Sequence, residues 1–236
     1  MNRSKWCWNR TRANNSGKVK KRMIQGVCFD MDGLLFDTEP LGAEMMFKAV
    51  EAQGCKLTVA QQRSTLGKNA EATKAAMREW FGDVIDPERY MADWFRLMRA
   101  YIHENGVPEK MGAREALLML KIKGIRTALV TSNAPTLVDE YLRVSGFDNL
   151  LNVVVTGNQV QHGKPAPDIY LMAAEKLGLA PEQCVGVEDS LNGVKAIRAA
   201  GMRSVMVPDL LPYSEQFAPY VDVCLNSLKE LSTALL

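Results

Sequence analysis

The sequence predicts a doubly wound α/β fold on a parallel sheet, with an all-helical domain inserted after the first strand. Three patterns carry that prediction. Short apolar runs rich in β-branched residues recur with amphipathic stretches between them, which is the alternation of βαβ units. The amphipathic stretches stop at glycines, as a left-handed C-terminal cap requires. The interval 40–106 breaks the alternation and holds helical periodicity alone.

Residues 24–30, IQGVCFD, open the sheet, followed by IRTALVTS (125–132), NVVVTG (152–157), CVGVED (184–189) and RSVMVP (203–208). A short edge strand is expected in VDVCL (221–225). The intervening helices AREALLMLKIKG, PTLVDEYLRVSG, PDIYLMAAEKLG and SLNGVKAIRAAG end at Gly124, Gly146, Gly178 and Gly201. In the insertion, LGAEMMFKAVEAQG, TVAQQRSTLG, NAEATKAAMREWFG and PERYMADWFRLMRAYIHENG read as four helices. On the last, Trp94, Phe95, Met98, Tyr101 and Ile102 predict one apolar face. An insertion at a strand's C-terminal end falls over the crevice where open α/β sheets bind ligands, so it is expected to act as a lid. The expected division is a leader at 1–22, an α/β core at 23–39 and 107–236, and a helical cap at 40–106.

Composition narrows the function classes. With 236 residues, 47% hydrophobic and 24% charged, the chain has the profile of a soluble globular protein with a sizeable core. No apolar run approaches the roughly 20 residues that span a bilayer, so no membrane partner is expected. The net charge of +2 hides an asymmetry: residues 1–22 hold eight Lys or Arg and no acid, leaving 21 basic against 27 acidic residues in the remainder. An acidic body argues against nucleic acid as a partner. The leader lacks the apolar segment of a secretory signal and reads as a disordered tail. The cysteines, at 7, 28, 55, 184 and 224, are odd in number and scattered, which suits core thiols in a reducing, cytoplasmic setting. No obligate protein partner is evident.

Four polar clusters fall at the C-terminal ends of predicted strands, which share one edge of a parallel sheet. They are Asp30 with Asp32, Thr131 with Ser132, Lys164, and Glu188 with Asp189. Singly, each has a plain structural reading as a solvated turn, a helix cap or a surface lysine. Together, the carboxylates would repel unless a cation joined them, and a hard divalent ion beside phosphate suggests Mg²⁺. Asp30, first out of the strand, is the candidate nucleophile toward phosphorus. Asp32 is placed to protonate the leaving oxygen and then to take a proton from water. Gly33 allows a sharp turn that brings backbone amides near phosphoryl oxygens. Thr131 offers a hydroxyl, and the amides of Ser132 and Asn133 are expected to open the next helix and favour an anion. Lys164 would neutralise charge on nucleophile and phosphoryl group. Asp30, Glu188, Asp189 and the backbone carbonyl of Asp32 form the expected metal shell.

The segments DMDGLLFDTEP, VTSN, GKPAPDIY and GVEDSLNG, in that order, closely resemble the four motifs of the haloacid dehalogenase superfamily, in its subclass with a helical cap after the first strand. The resemblance covers about residues 23–232 and implies that superfamily's Rossmann-like core, with magnesium-dependent phosphoryl transfer from a small phosphorylated metabolite. It supports the roles given to Asp30, Asp32, Thr131, Lys164, Glu188 and Asp189. Relatives place substrate-reading residues where Lys68 stands here, although a solvated lysine reads equally well. His103 and His162 receive no role.

The leading expectation is a phosphatase acting on a sugar or nucleotide phosphate through an aspartyl-phosphate. A β-phosphoglucomutase-like mutase shares the core motifs, but those enzymes carry a histidine where this chain has Gly42. Dehalogenation is disfavoured by the carboxylate at Asp32. Outside enzymes, an inactive phosphate-binding or interaction module could use the same residue types. Receiver domains are about half this length and place the phosphate acceptor on a later strand.

Overall fold

The computed structural model describes residues 23–65 and 70–235. The chain divides into two compact units, one running up to Asp37 and resuming at Pro108, the other Thr38–Val107. The basic leader lies outside the described residues, and so does Lys68.

The first unit is built on β1 (Gly26–Phe29), β2 (Arg126–Thr131), β3 (Val153–Thr156), β4 (Cys184–Glu188), β5 (Arg203–Met206) and β6 (Val223–Cys224). All pair in parallel, in the order β3-β2-β1-β4-β5-β6. The central strands β1 and β4 are buried along their whole length, without the period-two alternation of a half-solvated sheet. Apolar cover on both faces is what a parallel sheet requires. Phe29 is in register with Leu129 on one side and Val187 on the other, so Asp30, Thr131 and Glu188 emerge at the same edge.

Helices α5 (Ala113–Ile122), α6 (Pro135–Ser145), α7 (Asp168–Leu177) and α8 (Leu191–Ala199) connect the strands, and α9 (Leu231–Leu235) follows the last. The four predicted stop glycines, Gly124, Gly146, Gly178 and Gly201, all have positive φ. Tyr170, Ala173, Ala174, Leu177 and Ile197 pack with Cys28, Val130 and Cys184 into one buried cluster.

The second unit holds α1 (Thr38–Glu51), α2 (Val59–Ser64), α3 (Ala70–Phe81) and α4 (Pro87–Asn105). Thr58 and Gln61 form a capping box at the start of α2, and Asp86 caps α4 ahead of Pro87. Met46, Val50, Leu57, Met77, Ile85 and Tyr90 make its core. The apolar face of α4 is narrower than its sequence predicts. Tyr90, Met98 and Ile102 are buried, whereas Phe95 is 43% exposed and Tyr101 is also exposed. Phe95 follows Trp94, so it is turned about 100° around the helix, where it meets the Trp94 ring edge-on instead of the core. Among the described residues no helix is long and apolar enough to cross a membrane.

Candidate active site

Strand β1 delivers Asp30 to the sheet edge, where its amide donates to the Val187 carbonyl at 3.0 Å. The chain then turns at once: Gly33 has φ +74, its amide donates to the Phe36 carbonyl, and Phe36 donates back to Met31. A Cβ added at Gly33 would lie 2.6 Å from Asp189 Oδ2 and 3.0 Å from Asp209 Oδ2. Both the backbone angle and the crowding therefore demand glycine there.

Lys164 joins the first and fourth predicted clusters. Its ammonium is ion-paired with Asp30 and lies 2.7 Å from Glu188 Oε1 and 3.2 Å from the Val130 carbonyl. The Tyr170 ring lies 5.4 Å away, within cation–π range. Only 8% of the Lys164 side chain is exposed, so its charge is stabilised by these groups rather than by water. Burial alone would lower its affinity for a proton, but Asp30 and Glu188 outweigh burial and hold it cationic well above the ordinary lysine range.

Glu188, 1% exposed, accepts from protein donors on both oxygens. Oε1 accepts from Lys164 and from the Tyr170 hydroxyl at 3.2 Å, while Oε2 accepts from the amides of Asp189 and Ser190 and from Ser190 Oγ. Ser190 also caps α8 by accepting from the Gly193 amide. A side chain at 193 would collide with Glu188, its Cβ falling 1.8 Å from the carboxyl carbon. Burial pushes the Glu188 carboxyl up, but Lys164 and Ser190 prevail and keep it below the usual glutamate value.

Its neighbours go the other way. Burial and the Glu188 charge push Asp30 up to about 8 in spite of Lys164. Burial, Glu188 and Asp30 push Asp189 to about 10. One lysine does not balance three neighbouring carboxyls. Asp30, Glu188 and Asp189 each offer an oxygen, and these atoms lie within 4.8 Å of one another. Close by, the buried Oδ2 of Asp209 has no hydrogen-bond partner among the described residues. An all-oxygen donor set, short of positive charge and beside an orphaned acceptor, fits a hard divalent cation. Asp30, Glu188 and Asp189 would hold it.

Asp32 and the Thr131 segment form a second chain of contacts. Asn133 donates through its side-chain amide to Asp32 Oδ2, and its backbone amide donates to Thr131 Oγ1 at 3.1 Å. Thr131 is buried and Ser132 exposed. The amides of Ser132 and Asn133 do not open the helix, as expected from the sequence, because α6 starts at Pro135 with Ala134 as its N-cap. Proline supplies the first helical residue without needing a donor, and that moves the boundary. The carboxylate group that brings Asp30, Glu188 and Asp189 together does not include Asp32.

Sequence reasoning missed Tyr170, the Asn133 side chain and Asp209. Tyr170 stands on the first turn of α7, six residues past Lys164, where an aromatic residue reads as ordinary core. Asp209 follows β5 and carries no motif. Cys28 and Cys184 are free and buried, and His162 pairs with Asp168 at 3.0 Å.

Comparison with known proteins places this arrangement. A family model for haloacid dehalogenase-like hydrolases matches residues 24–201. The phosphorylated carbohydrates phosphatase of Thermotoga maritima is 34% identical over 182 residues, covering 77% of this chain and 84% of the relative. Hexitol phosphatase B of Escherichia coli K12 is 31% identical over 219 residues, 89% of this chain and 96% of the relative. Among solved structures, a Thermotoga maritima protein provisionally named a β-phosphoglucomutase superposes with a TM-score of 0.79 at 32% identity, covering 89% of this chain and 98% of that one. With the six-stranded sheet, the edge cluster and these likenesses in agreement, the chain belongs to the haloacid dehalogenase-like hydrolase family.

Proposed function

We propose that this hydrolase is a magnesium-dependent phosphatase of small phosphorylated carbohydrates that works through an aspartyl-phosphate on Asp30. The observation that carries the reading is Lys164, buried and ion-paired to both Asp30 and Glu188 at the sheet edge. A buried lysine between two acids adds little to stability over apolar packing, so its presence there supports a chemical role. The named activities of the Thermotoga and Escherichia relatives support a phosphorylated sugar or sugar alcohol as substrate. Free buried thiols fit a reducing, cytoplasmic setting.

When bound, Mg²⁺ supplies positive charge that lets the carboxylates ionise and offsets charge on the phosphoryl oxygens. An Asp30 carboxylate oxygen attacks phosphorus, and the bond from phosphorus to the carbohydrate oxygen breaks. Asp32, oriented by Asn133, gives its proton to that leaving oxygen. Water then attacks phosphorus, Asp32 takes its proton, and the bond to Asp30 breaks to release inorganic phosphate. Lys164 faces charge on Asp30 throughout, and Thr131 offers its hydroxyl to the phosphoryl group. Glu188 keeps Lys164 in place.

A mutase would instead return the phosphoryl group to a second hydroxyl of the sugar. Gly42 speaks against this, since it has no side chain to serve as the mutase histidine and its carbonyl is taken by Trp94 Nε1 at 2.8 Å. The test is to incubate the protein and Mg²⁺ with a panel of hexose, hexitol and pentose phosphates and phosphoglycolate, following free phosphate and positional isomers together. Phosphate release from a carbohydrate phosphate, with a labelled acyl-phosphate trapped on acid quench, is the expected result. Isomer formation without net release would replace the phosphatase reading with the mutase one.

A further inference from the structure

Asp209 is the acidic residue at this edge that the proposed mechanism does not use. It follows β5, and Val207 ties that segment beside the site by donating to the Glu188 carbonyl at 2.8 Å. The two oxygens of Asp209 have different surroundings. Oδ1 accepts from Lys110 Nζ at 2.6 Å, and Lys110 also holds Asp37 at 3.1 Å. Oδ2 is buried and has no partner among the described residues. It faces the bare backbone of Gly33, with Asp189 Oδ2 close to the same point: a Cβ there would be 3.0 Å from one oxygen and 2.6 Å from the other.

A buried carboxylate oxygen without a donor is costly, and a second carboxylate oxygen nearby adds repulsion. Among the described residues no side chain is seen to donate to it, and a water carried in with a cation could. Magnesium keeps several of its waters when carboxylates bind it, and a cation-bound water is a strong donor. Resting on the reading that the site takes a divalent cation, we infer that Asp209 is a positioning residue for that cation: Oδ2 accepts from a cation-bound water while Lys110 fixes the carboxylate through Oδ1.

The full-length chain tests this with Mn²⁺ as probe, its dissociation constant read by calorimetry or electron paramagnetic resonance, and the melting temperature recorded with and without the ion. In Asp209→Asn the amide NH₂ replaces the acceptor while its oxygen still faces Lys110. The expected result is a loss of Mn²⁺ affinity of about 10- to 100-fold, as for other groups that orient metal ligands. The ion-free melting temperature is expected to stay at or above wild type, since a buried carboxylate oxygen without a donor has been removed. Lys110→Met, which leaves the acceptor but frees it, should lose less affinity. Unchanged affinity in Asp209→Asn, with Asp189→Asn abolishing binding, would overturn the inference while leaving the cation site standing. A lowered ion-free melting temperature with wild-type affinity would make Asp209 structural and overturn it too. Wild type that fails to bind Mn²⁺ would remove the cation reading itself, and this inference with it.

Discussion

Two ion pairs of equal length show how differently the two units use charge. In the helical unit Lys48 and Glu44 sit 2.7 Å apart, one turn apart on α1, with side chains 52% and 58% exposed. In the α/β unit Lys164 and Glu188 are also 2.7 Å apart, but 8% and 1% exposed. Water screens the first pair and leaves it worth about 0.3–0.5 kcal/mol. The second has lost its water on both sides, so neither partner can be removed without stranding the other. Distance is the same; burial decides the consequence. The helical unit's other described pairs, such as Lys74 with Glu71 and Arg96 with Asp93, likewise leave at least one partner largely exposed. In the α/β unit the deeply buried pairs, Lys164 with Asp30 and with Glu188, gather at one sheet edge.

Three outcomes would sharpen or break that contrast. The largest is expected from Lys164→Ala, which leaves Asp30 and Glu188 facing each other without a counter-charge; urea denaturation of the cation-free protein should register a loss of about 3–5 kcal/mol. A loss below about 1 kcal/mol would mean that water reaches the site, contrary to its burial. Next comes pH. Asp30 and Asp189 bind protons in the folded protein up to about 8 and about 10, against ordinary values of 3.8. Between those limits the native state holds protons that the unfolded chain has released, so without cation stability falls as pH rises. Glu188 is shifted down, so its contribution fades only in acid, below its ordinary 4.5, and does not offset that slope. A bound cation must displace these protons, so its affinity should rise with pH, by up to about tenfold per unit for each proton displaced. Melting of chelator-treated protein from about pH 5 to 8, beside cation titrations over the same range, would reveal both slopes, and a flat pair would contradict the buried acids. The smallest effect belongs to Glu44→Gln, expected to cost no more than about 0.5 kcal/mol by the same denaturation.

What the sequence disclosed follows from the same physics. Asp30, Lys164, Glu188 and Asp189 were legible because a parallel sheet brings strand ends to one edge, and spacing from the strand locates each. The order of β1 to β6 along the sheet and the reach of Asn133 to Asp32 depend on packing between segments about a hundred residues apart, which local periodicity does not encode. Tyr170 escaped notice for another reason: its ring serves the core while its hydroxyl serves Glu188, and a hydrophobic pattern registers only the ring. Phe95 looked like core because spacings of one, three and four admit two neighbouring helix faces, and the structure buries one of them. Asp209 is recognisable only by its surroundings, an orphaned oxygen beside a glycine that no side chain can replace.

The most direct test of the account is the rate of phosphate release from the best substrate of the carbohydrate-phosphate panel in three preparations: wild type with Mg²⁺, wild type with EDTA, and Asp30→Asn with Mg²⁺. The account predicts release in the first alone, with Asp30→Asn slower by at least about a thousandfold yet folded to the wild-type circular dichroism spectrum. Release by Asp30→Asn at the wild-type rate, or release indifferent to EDTA, would contradict it.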